Sequence, residues 1–164
     1  MSSYLCVIGS AIIKNLELLT TNLPLVIRRF RKKSLKLVGL EYLTTSKPEA
    51  ICLVAEEANR AVGFTWGYKE QASQKLDRHL EAPGLHKRIS DIFFYMDEVA
   101  VMPAWQGKGI GKKLVEAICR EQKQERILLR TLDGCPMFHI IKNMGGEIVQ
   151  HISKGRVIMV LYIK

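Results

Sequence analysis

"MPAWQGKGIGKKL", residues 102–114, sets Gly107, Gly109 and Gly111 on alternate positions, with Lys108, Lys112 and Lys113 between and after them. An apolar-periodic run follows. Leu114, Val115, Ile118 and Cys119 fall on one face of a helix expected over 111–124. The preceding "IFFYMDEVAVMP" (92–103) reads as a strand stopped by Pro103, which has no N–H to give a ladder. A strand, a glycine loop and a helix start therefore meet within a few residues. The amides of such a loop and first turn lack intrahelical partners, and the helix dipole adds positive potential there. Glycine allows positive φ and lets a ligand approach the backbone closely. The stretch is read as an anion cradle suited to a pyrophosphate.

Three phosphate motifs compete for this stretch. A P-loop needs G-x-x-x-x-G-K-[ST]; only three residues separate Gly107 from Gly111, and Lys113 stands where the magnesium-binding hydroxyl is wanted. A dinucleotide fingerprint G-x-G-x-x-G accepts Gly107 and Gly109 but meets Lys112 at its last position. The strand "RILLRT" (126–131) offers no acid for a ribose. The pattern [QR]-x-x-G-x-[GA] is met by Gln106, Gly109 and Gly111, with Lys108, Lys112 and Lys113 free for outlying phosphate charge.

The chain has 164 residues, 48% hydrophobic and 25% charged, which fits one globular domain spanning 1–164. Its net charge of +9 allows nucleic acid, an anionic membrane or a polyanionic small molecule as partner. Much of the excess is local, in Arg28, Arg29, Arg31, Lys32, Lys33 and Lys36. No aromatic ladder interleaves the 28–37 segment to stack bases, so a solvated face is its default reading and nucleic acid a lesser one. Cys6, Cys52, Cys119 and Cys135 form no CxxC pair and are not grouped with His79, His86, His139 or His151 at zinc-ligand spacing, so no metal is expected. Free thiols in apolar patterns suit a reducing compartment. The N-terminal apolar stretch is too short to span a bilayer and lacks a basic flank, which makes the expected location cytoplasmic.

Along the chain, Leu23, Val26, Ile27 and Phe30 follow the i, i+3, i+4, i+7 spacing of an amphipathic helix, with Pro24 in its first turn. Residues 51–56 and 61–68 read as a hairpin through "EANR". Residues 69–91 are polar and contain Pro83–Gly84; they read as a surface excursion, part helix. "CPMFHIIKNMGG" (135–146) reads as a helix with Pro136 in its first turn and Gly145 as its stop. Two strands end the chain, joined through "SKG". From residue 50 the order is strand, strand, strand, helix, strand, helix, strand, strand, which is a mixed α/β sheet.

The segment "DEVAVMPAWQGKGIGKKLVEAI" resembles the coenzyme A motif of the GNAT N-acetyltransferase superfamily, and the likeness extends over about residues 50–163. It implies a mixed, mostly antiparallel central sheet flanked by helices, and acetyl-CoA as cosubstrate. It implies that the sheet splays beside the motif strand and that the pantetheine arm pairs with backbone at Val99 and Val101. Pyrophosphate contacts would come from Gln106, Gly107, Lys108, Gly109, Ile110, Gly111 and Lys112. Transfer would be direct, the acceptor amine attacking the thioester with no covalent enzyme intermediate.

An ammonium must lose a proton before it attacks, and a carboxylate near the thioester can take it. Glu98 is the candidate base, facing away from Val99 and Val101; Asp97 is expected on the other side of the strand. A strand amide near Val99 is the natural donor to the developing oxyanion. The chain departs from the family in the helix after residue 135. Aligned on Gly145, Ile141 stands where the family's Tyr protonates the leaving thiolate, and Gly146 replaces its Phe. His139 and Cys135, one turn apart, are substitutes: His139 as acid, Cys135 as acyl relay. Tyr162 is a weaker candidate; Trp66 is expected in the core and Trp105 half exposed beside the ligand. Two other readings stay open: a coenzyme A-binding module without catalysis, and nucleic-acid binding through 28–37. The acceptor is an unidentified amine, on a small molecule or a protein, and a homodimer is open.

Overall fold

The structure, a computed structural model, describes residues 25–29, 47–89 and 91–163. Seven strands form one sheet in the order β1-β2-β3-β4-β5-β7-β6. They are β1 (Val26–Arg29), β2 (Ile51–Glu57), β3 (Arg60–Gln71), β4 (Ile92–Val101), β5 (Arg126–Leu132), β6 (Glu147–Ile152) and β7 (Arg156–Tyr162). Every neighbouring pair is antiparallel except β4 and β5. Helix α1 (Gln74–Leu80) precedes β4, α2 (Ile110–Glu121) links β4 to β5, and α3 (Pro136–Asn143) follows β5. This is the mixed α/β sheet that the order of elements implied, and the mostly antiparallel arrangement that the resemblance implied.

Strand alternation divides the core in two. One face holds Phe94, Met96, Ile127, Leu129, Val157 and Met159, covered by Leu114, Val115 and Ile118 of α2 and Ile141 of α3. The other holds Trp66, Tyr68, Phe93, Tyr95, Leu128 and Ile158, covered by Leu76, Leu80, Ala82 and Leu85. The segment 69–91 is therefore more than a surface excursion. Its first residues continue β3 to Gln71, and its apolar minority closes the second core. Few apolar residues suffice, because a seven-residue helix needs only one stripe to cover a sheet face.

The helix expected around Leu23–Phe30 is corrected by β1. Val26–Arg29 is an edge strand paired with β2 from Val26↔Glu56 to Arg29↔Leu53. Helical spacing would bury Val26 and Ile27 together; the strand exposes Val26 and packs Ile27 on the first core. Two adjacent β-branched residues favour that outcome. The other residues of that expected helix, and the basic cluster beyond Arg29, lie outside the described residues.

Asp77 fastens the turn after α1. Its carboxylate accepts from the Gly84 N–H (2.9 Å), the His86 N–H (2.8 Å) and His86 Nδ1 (2.6 Å). Burial opposes its charge, but the bonds from His86 and Gly84 outweigh that and hold the carboxyl below its ordinary pKa. A lowered carboxylate pKa stabilises the fold above the ordinary value near 3.9, and that stability is lost as pH falls through the lowered one. Asp77→Asn is expected to cost about 2 kcal/mol at pH 7, with the gap to wild type closing below about pH 4 in thermal melts.

Gly67 lies at a register break where β3 meets β4. A Cβ there would stand 2.4 Å from both Phe94 Cε1 and the Tyr95 carbonyl oxygen. Gly67→Ala is expected to lower unfolding free energy by about 3 kcal/mol, read from the urea midpoint. Gly111→Ala, with its nearest neighbour at 3.5 Å, should stay within about 1 kcal/mol of wild type.

Candidate functional site

β4 holds β3 along its whole length, from Gln71↔Ile92 to Gly63↔Val101. On its other edge it meets β5 only at Phe94↔Ile127 and Tyr95↔Leu128. Beyond Tyr95, β5 stays with β7 as far as Leu132↔Arg156 while β4 leaves it. The sheet is thus open on one side of residues 97–101, and this backbone has no β5 partner.

The chain then turns through a short 3₁₀ segment, Pro103–Trp105. The Gln106 side chain donates back to the Val101 carbonyl at 3.1 Å, tying the loop to the end of β4. Gly107 and Gly109 both adopt φ near +77, where a side chain is strained, and nothing lies within 4 Å of a Cβ placed on either. Gly109 is the N-cap of α2 and supplies no capping side chain. Among the described residues, no hydrogen bond engages the N–H groups of residues 107–112. The first turn of α2 carries no acid but has Lys112 and Lys113, cations placed against the positive end of the helix dipole. Free amides, open space and opposed like charges all favour an anion, so these residues fit a diphosphate.

The other expected cradle residues differ in what they present. Ile110 is buried, so it offers only its backbone. Gly111 faces Ile140 and Val101 at ordinary contact distance, so its lack of a side chain is not required for space. Lys108 lies over the Trp105 ring at 4.2 Å, and Lys112 is 3.7 Å from Glu116. Trp105 is half-buried, as expected. Val99 and Val101 turn their side chains to the first core, leaving their backbone at the open edge.

Glu98 faces away from Val99 and Val101, as the alternation required, and approaches Trp66 of the second core. The expected position of Asp97 needs correction. β3 and β4 slip register between Trp66↔Glu98 and Gly67↔Met96, so Asp97 is the extra residue of a bulge. Asp97 therefore shares the side of Glu98, where its charge acts on Tyr68 and Tyr95. Thr65, fully buried, donates to the Glu98 carbonyl at 3.0 Å and fixes the bulged backbone. Neither the bulge nor this hydroxyl was read from the sequence. The only local signal is the pair of acids interrupting an apolar strand.

Burial pushes the Glu98 carboxyl above its ordinary pKa, and the Asp97 charge pushes the same way. The Trp66 indole N–H offsets this in part. That N–H is sealed from solvent without reaching hydrogen-bond geometry with any group. Asp97 keeps contact with solvent, yet its partial burial raises its pKa against the pull of His79, Lys47 and Arg130.

α3 does not assemble an acid at this place by itself. Ile141 is fully buried in the first core, and a Cβ on Gly146 would strike it at 2.3 Å, so neither position can host the family's aromatic residues in this packing. His139 is exposed, its ring edge-on to Phe138. Cys135 Sγ lies 3.1 Å from Thr131 Oγ1. Tyr162 is exposed with Arg126 over its ring. Trp66 is core, as expected. Burial pushes the Cys52 thiol up to about 12 and the Cys119 thiol to about 11, which makes both poor nucleophiles.

Among the described residues no group of three or more His, Cys, Asp or Glu side chains is arranged to hold a metal ion, and no helix is long and apolar enough to cross a membrane.

The family model described as an acetyltransferase (GNAT) domain matches residues 48–139, more than half of the chain, and the protein belongs to this family. No curated protein sequence matches the chain significantly. Solved structures share the fold at low identity. A GNAT family acetyltransferase from Elizabethkingia anophelis with acetyl-CoA bound is 10% identical with a TM-score of 0.59, over 84% of this chain and 97% of that one. The ribosomal-protein-S18-alanine N-acetyltransferase of Escherichia coli is 10% identical with a TM-score of 0.57, over 86% and 95%. An IAA acetyltransferase from Bacillus cereus is 14% identical with a TM-score of 0.56, over 85% and 99%.

A carboxylate whose pKa is raised on folding takes stability from the fold once pH rises past its unfolded value, because the native state then binds the extra proton. Glu98→Gln is therefore expected to raise the melting temperature at pH 7, and the gain should vanish as pH falls below about 4, near the ordinary glutamate pKa.

Proposed function

We propose that this chain is an acetyl-CoA-dependent N-acetyltransferase that passes an acetyl group directly to an amine. The observation that carries this reading is the run of unengaged amides at residues 107–112, set beside a strand edge that β5 has left. Acetyl-CoA, when bound, supplies the activated thioester. The N–H groups from Gly107 through Lys112 take its diphosphate, with Lys108 and Lys112 near the outer charges and Gln106 holding the loop to β4. Val99 and Val101 offer backbone to the pantetheine arm.

Glu98 takes a proton from the acceptor's ammonium. In the transfer, the amine nitrogen forms the new C–N bond, the C–S bond breaks and the electron pair goes to sulfur. A raised pKa suits this role, since the best general base lies close to working pH. An amide at Val99 answers the charge on the carbonyl oxygen. With Ile141 buried in place of a Tyr, the exposed His139 of α3 is our candidate donor to the departing thiolate. This is a modest service, because a thiol of pKa near 8.5 leaves tolerably as the anion.

The same substitution favours the second reading, a coenzyme A-binding module without turnover. The two separate in one experiment on the intact chain: calorimetry with acetyl-CoA, then thiol release in the presence of an amine panel. Binding with turnover is the expected result. Binding without turnover for any amine selects the module, and no binding rejects both. Glu98→Gln should lower kcat by about 10²- to 10⁴-fold and leave acetyl-CoA affinity near wild type. The acid limb of kcat/KM should lie above the ordinary glutamate range near 4.3. Gly109→Ala should weaken acetyl-CoA binding at least tenfold, because its Cβ occupies the space kept open for the ligand and strains the αL cap by about 1–2 kcal/mol.

A further inference from the structure

The sheet face opposite α2 carries charges of both signs that are not paired with each other. Asp97 and Glu98 emerge together from the β4 bulge. Beneath them, buried in the second core, Trp66 lies tilted against Tyr68 at 5.5 Å and Tyr68 meets Tyr95 edge-on at 5.6 Å. Lys47 Nζ sits 4.3 Å over the Tyr68 ring. From β5, Arg130 reaches across to the His79 carbonyl on α1 at 3.5 Å, which brings His79 and Arg130 to the same rim. Lys47, His79 and Arg130 all act on the Asp97 charge, yet among the described residues neither Lys47 nor Arg130 lies within 4 Å of a carboxylate oxygen. The Trp66 N–H, on a side chain 2% exposed, is directed toward the Glu98 carboxylate without reaching full hydrogen-bond geometry.

Resting on the transferase reading above, the geometry points to an acceptor that is itself dipolar: an amino acid or a similar small molecule bearing both an ammonium and an anionic group. Asp97 and Glu98 receive the ammonium, and Glu98 deprotonates it. Lys47, Arg130 and His79 face the anionic end. A polyamine would set a second cation against these three bases, at an electrostatic cost that the two carboxylates have already been spent to offset. An arginine at such a position also favours a planar carboxylate, which its guanidinium grips with two parallel bonds.

The test uses the intact chain, acetyl-CoA and thiol release. Amino acids with the ammonium one, two or three carbons from the carboxylate are each paired with the alkylamine of the same skeleton, and spermidine is included. The expected result is a kcat/KM at least tenfold higher for amino acids than for their paired alkylamines. Arg130→Gln and Lys47→Gln, each checked for folding by circular dichroism, should each shrink that ratio several-fold by raising KM for the amino acids more than they lower kcat. Alkylamines or spermidine used as well as the amino acids would overturn this inference and leave the transferase reading standing. So would variants that lower kcat for both series alike. Failure of every amine to release thiol, with acetyl-CoA bound, would remove the transferase reading and this inference with it.

Discussion

The parting of β4 from β5 after Tyr95 is the constraint from which the rest of the site follows. A parallel pair normally continues as long as both strands do, because each lost ladder bond leaves a donor and an acceptor to be satisfied elsewhere. Here the pairing stops after Phe94 and Tyr95, although β4 runs on to Val101 and β5 to Leu132. β5 is kept in place by β7, and β4 by β3, so the two halves of the sheet diverge with their own partners intact. The exposed edge of residues 97–101 is open to a ligand because both strands are held from behind.

The bulge at Asp97 belongs to the same event. An extra residue bends its strand and increases local twist, which helps turn β4 away from β5. It survives because β3 is fitted to it. Gly67 leaves no Cβ where Phe94 and the Tyr95 carbonyl crowd in, and Thr65 supplies a hydroxyl to the Glu98 carbonyl. The bulge also reverses the phase of the strand. Met96 and Val99, three residues apart, both face the first core, while Asp97 and Glu98 both face the second. Burial raises both carboxyl pKa values and the Asp97 charge raises that of Glu98 further, a cost to stability that is characteristic of sites rather than of scaffolds.

At the other end of the opening, α2 begins without the polar cap that most helices use. Its face toward the sheet is firmly packed, with Leu114, Val115 and Ile118 fully buried, so the helix tolerates an unfinished N-terminus. Tertiary packing takes over the stabilising role of the cap, and the first-turn amides are left for something else. The two devices share one loop: Gln106 binds the end of β4, and three residues later Gly109 starts the helix.

Much of this was legible in the order of residues. The Pro103 stop, the alternating glycines and the apolar stripe of α2 are local signals, and strand–loop–helix followed from them without any tertiary information. The strand–helix order from residue 51 onward was readable for the same reason: turn residues and periodicity act over short range. Three features were not. Val26–Arg29 carries a helix-like spacing and becomes a strand because β2 offers an unpaired edge. Residues 74–85 look polar enough for the surface, yet their few apolar side chains close a second core. Asp97 changes sides because of a register slip against β3 that no property of β4 announces. The sequence alone determined a glycine loop of free amides at the start of α2, since free amides and positive φ are properties of a few consecutive residues. Which carboxylates and bases face one another was decided only by the tertiary structure, because strand phase depends on the partner strand and not on the strand itself.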